Sequence, residues 1–150
     1  MVSGRGRSSD GMTQATLGDE QFAELLEFRT ALRRFLHWSD EQARLAGLTA
    51  QQHQLLLAIR GHKGAAPTVG EVADSLLLRH HSTVELVDRA AQAGLVHRTV
   101  DEADRRVVRL SLTSKGQRLL HRLSAAHLDE LKRLAPTVAR LARGLEDESV

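Results

Sequence analysis

Of the 21 basic residues only Lys63, Lys115 and Lys132 are lysines; the other 18 are arginines. A guanidinium is a planar fork of donors, protonated at any ordinary pH, that matches both a phosphate and the O6/N7 edge of guanine. Arginine-rich coding would raise the same count without any function, so position has to decide. Two stretches place arginine where such contacts are made. Arg89 stands near Glu85 and Gln92 in a segment of helical period, and Arg105 and Arg106 follow Asp104 in a polar connector. On a helix face Arg89 could donate twice to guanine, Gln92 pair with adenine, Glu85 accept from cytosine N4 and Val84 meet a thymine methyl. For Glu85 and Asp88 a solvated face, with Glu85 serving its own helix cap, is the simpler reading.

Other chemistries find less support. His80 and His81 are adjacent and point in different directions, His121 and His127 are six apart and share no helix face, and the face shared by His127 and Glu130 offers only two ligands. With no cysteine, disulfides, thiolate zinc sites and thiol switches are excluded. No His-Glu-x-x-His, Gly-x-Ser-x-Gly or Gly-x4-Gly-Lys-Ser/Thr pattern occurs, so neither catalysis, a cofactor nor a metal site is expected. A zinc-type sensing regulator, its carboxylates and histidines brought together in a dimer, stands as an alternative.

At 150 residues and 16.5 kDa the chain holds one domain with little room for a second. Without a long apolar run or a basic-apolar-small start it reads as a cytoplasmic protein that neither crosses nor binds a membrane. The net charge is only +2, although the pI is near 9.6. Between Val69 and Leu112 six arginines face seven carboxylates, a net of −1, so non-specific attraction to nucleic acid should be modest. His80, His81 and His97 would add charge below about pH 6.5, which predicts tighter DNA binding at about pH 6 than at pH 8.

The positioning elements follow from period and punctuation. Residues 1–18 are rich in Gly, Ser and Thr and predict a disordered arm. Its Arg5 and Arg7 fit a solvated tail, or a start upstream of a true first residue at Met12, better than a phosphate contact. From Asp19 to about Gly47, Phe22, Leu25, Leu26, Leu32, Phe35 and Leu36 recur at helical spacing. Thr49–Gln52, Thr68–Glu71 and Ser82–Glu85 have the hydroxyl-x-x-Glu/Gln form of a capping box, and Ser114–Gln117 repeats it unless Thr113 is the cap. They predict helices over 51–60, 69–77, 82–93 and 115–135, with left-handed stops at Gly61 and Gly94. Pro136 ends the penultimate helix or opens a last one over 137–146. Between Gly94 and Thr113 the period drops to two, giving strands over 95–100 and 107–112 and a hairpin tipped by the charged run 101–106.

Helix, tight connector, helix and hairpin make a winged helix-turn-helix. The fold class is mainly α with a small β-hairpin (α+β), the second helix suited to a major groove and the hairpin to the backbone or minor groove. On 69–77 the core face carries Val69, Val72, Ala73, Leu76 and Leu77; on 82–93 it carries Thr83, Leu86, Val87 and Ala90, leaving His81, Val84, Glu85, Asp88, Arg89 and Gln92 outward.

The stretches 86–89 (LVDR), 94–96 (GLV), 104–106 (DRR) and 112–116 (LTSKG) resemble the MarR family of bacterial transcription regulators, over about Leu48 to Leu120. The resemblance implies a homodimer: 48–113 as the DNA-binding winged helix, with 19–47 and 114–150 as dimerisation helices of one domain over 19–150. It implies double-stranded DNA as the partner. Asp104 would orient an arginine, Arg106 enter the minor groove, Arg105 touch phosphate, and Ser82 and Thr83 open the recognition helix beside His81. The chain departs from the resemblance at Val84 and Glu85, where relatives are expected to be polar or basic. A small aromatic or anionic effector is implied too, in a cleft that His37, Trp38, His53 and Arg60 could line; ordinary structural roles are the simpler reading of each. The implied function is a ligand-responsive repressor at a pseudo-palindromic operator. The rival outside DNA binding is a helical interaction module with a merely structural hairpin.

Overall fold

Two threonine caps set the frame of the fold. Thr49 Oγ1 accepts from Gln52 N at 3.1 Å while Gln52 Oε1 accepts from Thr49 N at 3.0 Å. Thr68 and Glu71 repeat the exchange at 3.2 and 2.8 Å, so two helix-start donors at each site are satisfied as the sequence predicts. The structure, a computed structural model, describes residues 16–147. Within them lie α1 (Asp19–Leu45), α2 (Ala50–Gly61), α3 (Val69–Leu76), α4 (His80–Gln92), β1 (Val96–Val100), β2 (Val108–Leu112) and α5 (Ser114–Asp147). Most of the expected N-terminal arm lies outside the described residues. None of the described helices is long and apolar enough to cross a membrane.

The core sits in the winged-helix lobe. Leu55, Leu56, Val72, Leu86, Val87, Leu95 and Leu110 are all but sealed from solvent, and on α4 the buried set is the expected Thr83, Leu86, Val87 and Ala90. The hairpin pairs antiparallel with Val96 opposite Leu112 and Val100 opposite Val108. A third short strand-like piece joins it: Leu110 N donates to Pro67 O at 2.8 Å and Thr68 bridges Arg109. Helices α1 and α5 run antiparallel beyond this lobe, tied by Glu27 to Arg140 at one level and Ser39 to His127 at another.

Four local expectations need correction. Ser82 and Glu85 form no capping box. Helix α4 starts two residues earlier, behind Arg79, whose carbonyl accepts from both Thr83 N and Thr83 Oγ1 at 3.0 Å, so Ser82 is already inside the first turn. Gly61 is the last residue of α2, which ends on an extended His62 with no left-handed stop, whereas Gly94 does take one at φ +71°. The left-handed stop of α3 falls on Leu77 at φ 54°, and its side chain is almost fully exposed instead of packed in the core. Pro136 neither ends nor opens a helix, because α5 continues through it. The proline faces solvent, where a lost donor and a slight bend cost least, and Leu134 before it and Leu141 after it are withdrawn from water, Leu141 fully buried.

The start of α5 resolves the choice left open at Thr113 and Ser114. Thr113 Oγ1 accepts from Gly116 N at 3.0 Å and donates to Gly94 O at 2.6 Å, while Thr113 N donates to Leu95 O at 3.0 Å. Gly116 then passes so close to this strand that a Cβ on it would lie 2.3 Å from Leu95 O. Threonine and glycine together lock the hairpin's exit onto its entry.

Candidate nucleic-acid interface

Helix α4 is pressed into the lobe by its buried stripe, and its opposite side faces solvent. His81, Val84, Glu85, Arg89 and Gln92 are exposed there, Ser82 and Asp88 half-buried. Thr83 has to be withdrawn from the candidate contacts. Its side chain is buried and its hydroxyl is spent on Arg79 O, so it anchors the helix and reaches nothing outside. Among the described residues Arg89 has no acidic partner, whereas Asp88 is held by Arg98 of β1. One of the seven carboxylates counted against this surface is thereby neutralised from within the fold.

The wing tip holds its arginine in a set pose. Arg106 Nε donates to Asp104 Oδ1 and Nη2 to Oδ2, both at 3.0 Å, and Arg106 N adds a bond to Oδ1 at 3.1 Å. The Arg106 side chain is nonetheless 90% exposed. The guanidinium holds the Asp104 carboxyl below the usual carboxylate range, helped by the backbone N–H of Arg106, and Asp104 in turn raises Arg106. A bidentate pair uses one edge of the fork and leaves the other donors facing outward. Arg105, next along the tip, is exposed.

At the wing's base stand two residues that the sequence reading counted only as charges. Asp101 Oδ1 accepts from Ala103 N at 2.8 Å and Asp104 N at 3.0 Å, and Asp101 Oδ2 accepts from Arg109 Nε at 2.7 Å. Arg109, chiefly, holds the Asp101 carboxyl low, with the two backbone donors adding to it. The Asp-led turn has a local signature, an aspartate two and three residues before the donors it caps. Arg109 has none, since its second acceptor, Ala66 O at 2.8 Å, is 43 residues away.

The four residues expected around an effector do not share one cleft. Trp38 and His53 both pack on His127, in an aromatic junction of α1, α2 and α5. The His127 ring is tilted against those of His53 and Trp38, with centroids 4.7 and 4.9 Å away, and Phe35 closes the group edge-on to His127. His127 Nδ1 faces Leu123 O and Nε2 faces Ser39 Oγ, both at 2.7 Å; a carbonyl only accepts, so Nδ1 carries the proton. His37 is exposed outside this junction. Arg60 lies elsewhere, on a groove of about 800 Å³ between α2 and α5 lined by Gln117, Arg118, Leu120, His121, Arg122 and Ser124. Arg60 stands two turns of α2 past His53, level with the first turns of α5 and not with the aromatic group. Among the described residues, no three His, Asp or Glu side chains are grouped to hold a metal ion.

Comparison with known proteins gives this geometry a context. A family model described as MarR family matches residues 46–107, from the end of α1 to the wing. The chain is 35% identical over 65 residues to the uncharacterized HTH-type transcriptional regulator YsmB of Bacillus subtilis (strain 168), covering 43% of this chain and 44% of that one. It is 30% identical over 84 residues to the HTH-type transcriptional regulator PecS of Dickeya dadantii (strain 3937), covering 55% and 50%. The chain thus spans about half the length of these relatives. Among solved structures, that of a MarR family protein from Bacillus stearothermophilus superposes with a TM-score of 0.69 at 26% identity, covering 89% of this chain and 98% of that one. A mutant of S. aureus MepR, bound to an oligodeoxyribonucleotide, shares the fold at a TM-score of 0.64 and 20% identity, with 84% and 96% covered. With five helices around a two-stranded wing, and a match over residues 46–107, the chain is similar to MarR family proteins through its winged-helix core.

Proposed function

We propose that this protein is a sequence-specific, double-stranded-DNA-binding transcriptional repressor of the cytoplasm. It acts as a homodimer with residues 48–113 as its DNA-binding part. Helix α4 enters the major groove with His81, Ser82, Val84, Glu85 and Arg89. The wing lays Arg105 on phosphate and Arg106 in the flanking minor groove, where a narrow A·T stretch concentrates negative potential. The observation that carries this reading is the tip itself: an arginine gripped from one side by Asp104, yet 90% exposed. Such preorganisation spares the ordering cost of a long side chain when it reaches its target.

The dimer reading is supported by the outer faces of α1 and α5. Phe22, Leu26, Leu36 and Leu128 are each more than half exposed, and Leu25, Leu32, Leu131 and Val138 nearly so. A patch of that size on two adjacent helices is suited to a second copy, in which residues 19–47 and 114–150 would interlock. A small anionic effector would be suited to the groove lined by Arg60, Arg118 and Arg122, where three guanidiniums border one cavity.

The test is binding of operator fragments recovered from genomic DNA by the purified protein. Arg89→Ala and Arg106→Ala should each weaken binding by about 1–3 kcal/mol, roughly five- to 150-fold. Log affinity should fall linearly with log salt. Unchanged affinity in both variants, or salt-insensitive binding, would leave the helical interaction module as the better reading.

A further inference from the structure

We propose that Arg109 is the positioning residue of the wing, setting through Asp101 where the tip stands relative to α3 and α4; this rests on the DNA-binding reading above. A two-stranded hairpin is marginal by itself, and a contact meant for the minor groove must keep its distance from one made in the major groove. Here an unbroken series of bonds runs from the base of α3 to the wing tip. Thr68 caps α3, and its neighbours Pro67 and Ala66 meet β2, through Leu110 N to Pro67 O and through Arg109 Nη1 to Ala66 O, both at 2.8 Å. The same guanidinium donates Nε to Asp101 Oδ2 at 2.7 Å. The other oxygen of Asp101 gathers the N–H groups of Ala103 and Asp104, and Asp104 grips Arg106.

Geometry makes this a bracing role and not a surface ion pair. The Asp101 side chain is only 19% exposed and that of Arg109 30%, against 42% and 90% for Asp104 and Arg106. Arg109 joins two points that the chain itself does not connect, the end of β1 and the connector ahead of α3. A planar fork can donate to two acceptors in different directions at once, which an ammonium on a flexible stem does poorly. Because α3 packs on α4, a tip tied to the α3 start is also tied to the orientation of the recognition helix.

The experiment uses the full chain and a recovered operator. Arg109→Lys keeps the charge, so the salt slope should stay as in the wild type while the brace is lost. Affinity should fall about five- to tenfold. Hydroxyl-radical protection of the flanking minor groove should fade while guanine protection in the major groove persists. In an Arg106→Ala background the same change should cost nothing further, because Arg109 acts through the placement of Arg106. Asp101→Asn, which keeps the turn acceptor Oδ1, should behave like Arg109→Lys, and thermal melts establish that both variants are folded. Wild-type affinity and minor-groove protection in both variants, or losses that add fully to Arg106→Ala, would overturn the brace while leaving the DNA reading intact. Wild-type binding by Arg89→Ala and Arg106→Ala themselves would instead overturn both.

Discussion

Arg98 on β1 holds the carboxylate of Asp88 on the outward side of α4. The hairpin therefore supplies a charge to α4 as well as a wing beside it. If α4 meets DNA, Arg98→Ala should expose Asp88 to the phosphates and weaken operator binding severalfold at low salt, with the loss shrinking as ionic strength rises. Asp88→Ala in the same background should restore most of it. Stability should change little in either, since a half-exposed pair contributes about 0–1 kcal/mol. Fluorescence anisotropy across a salt series checks this; equal affinity of wild type and Arg98→Ala at low salt counts against it.

Gly116 admits no side chain. A methyl would sit 2.3 Å from Leu95 O, a backbone atom pinned by its bond from Thr113 N. Gly116→Ala should destabilise by about 3 kcal/mol or more, because strand and helix must separate to make room. Chemical denaturation measures it, and a variant as stable as wild type would show that the strand can yield.

Leu77 carries a left-handed backbone with a solvent-exposed side chain, so it bears the strain of φ 54° without a packing return. Leu77→Gly should relieve that strain and stabilise by up to about 1 kcal/mol, less whatever glycine's freedom adds to the unfolded chain. A rise of a few degrees in melting temperature is expected. A clear fall would mean that Leu77 makes contacts of its own, for instance in the assembled dimer.

His53 ties stability to pH. Burial pushes its imidazole pKa down, the neighbouring His127 ring pushes the same way and Asp40 opposes them. A lowered folded value means that the unfolded chain binds more protons, so stability rises with pH across this window. The contribution is fully present above the ordinary histidine value of about 6.5 and is lost as pH falls through the lower folded value. The urea midpoint should drop on acidification from about pH 7.5 to 5.5, and His53→Gln, neutral throughout, should flatten that drop. An equal drop in the variant would place the titration elsewhere.

Much of this fold was legible in the residues because the information is local. The apolar period of α4 named its buried stripe, the Thr49 and Thr68 caps marked two helix starts, and the switch to a period of two located both strands. Asp104 and Arg106 were legible as a pair because they lie two positions apart in one turn. The failures were also local readings, overruled by context. Ser82–Glu85 has the form of a cap but Ser82 lies within the first turn of a helix that starts two residues earlier, and Pro136 fails to break a helix whose flanks are held by packing.

What the sequence by itself determined is the class of molecule: the order of its elements, the faces that must be buried and the short motifs at the wing and at the start of α5. Only the tertiary structure decided which charges meet. Arg98 reaches Asp88 across ten residues, Arg109 reaches Ala66 across 43, and His127 reaches Ser39 across 88. Periodicity reports how one segment meets the solvent boundary, whereas a salt bridge or a stacked ring depends on how two remote segments are oriented once the core has closed. For the same reason Trp38 and His53 both pack on His127 while Arg60 lines a separate groove.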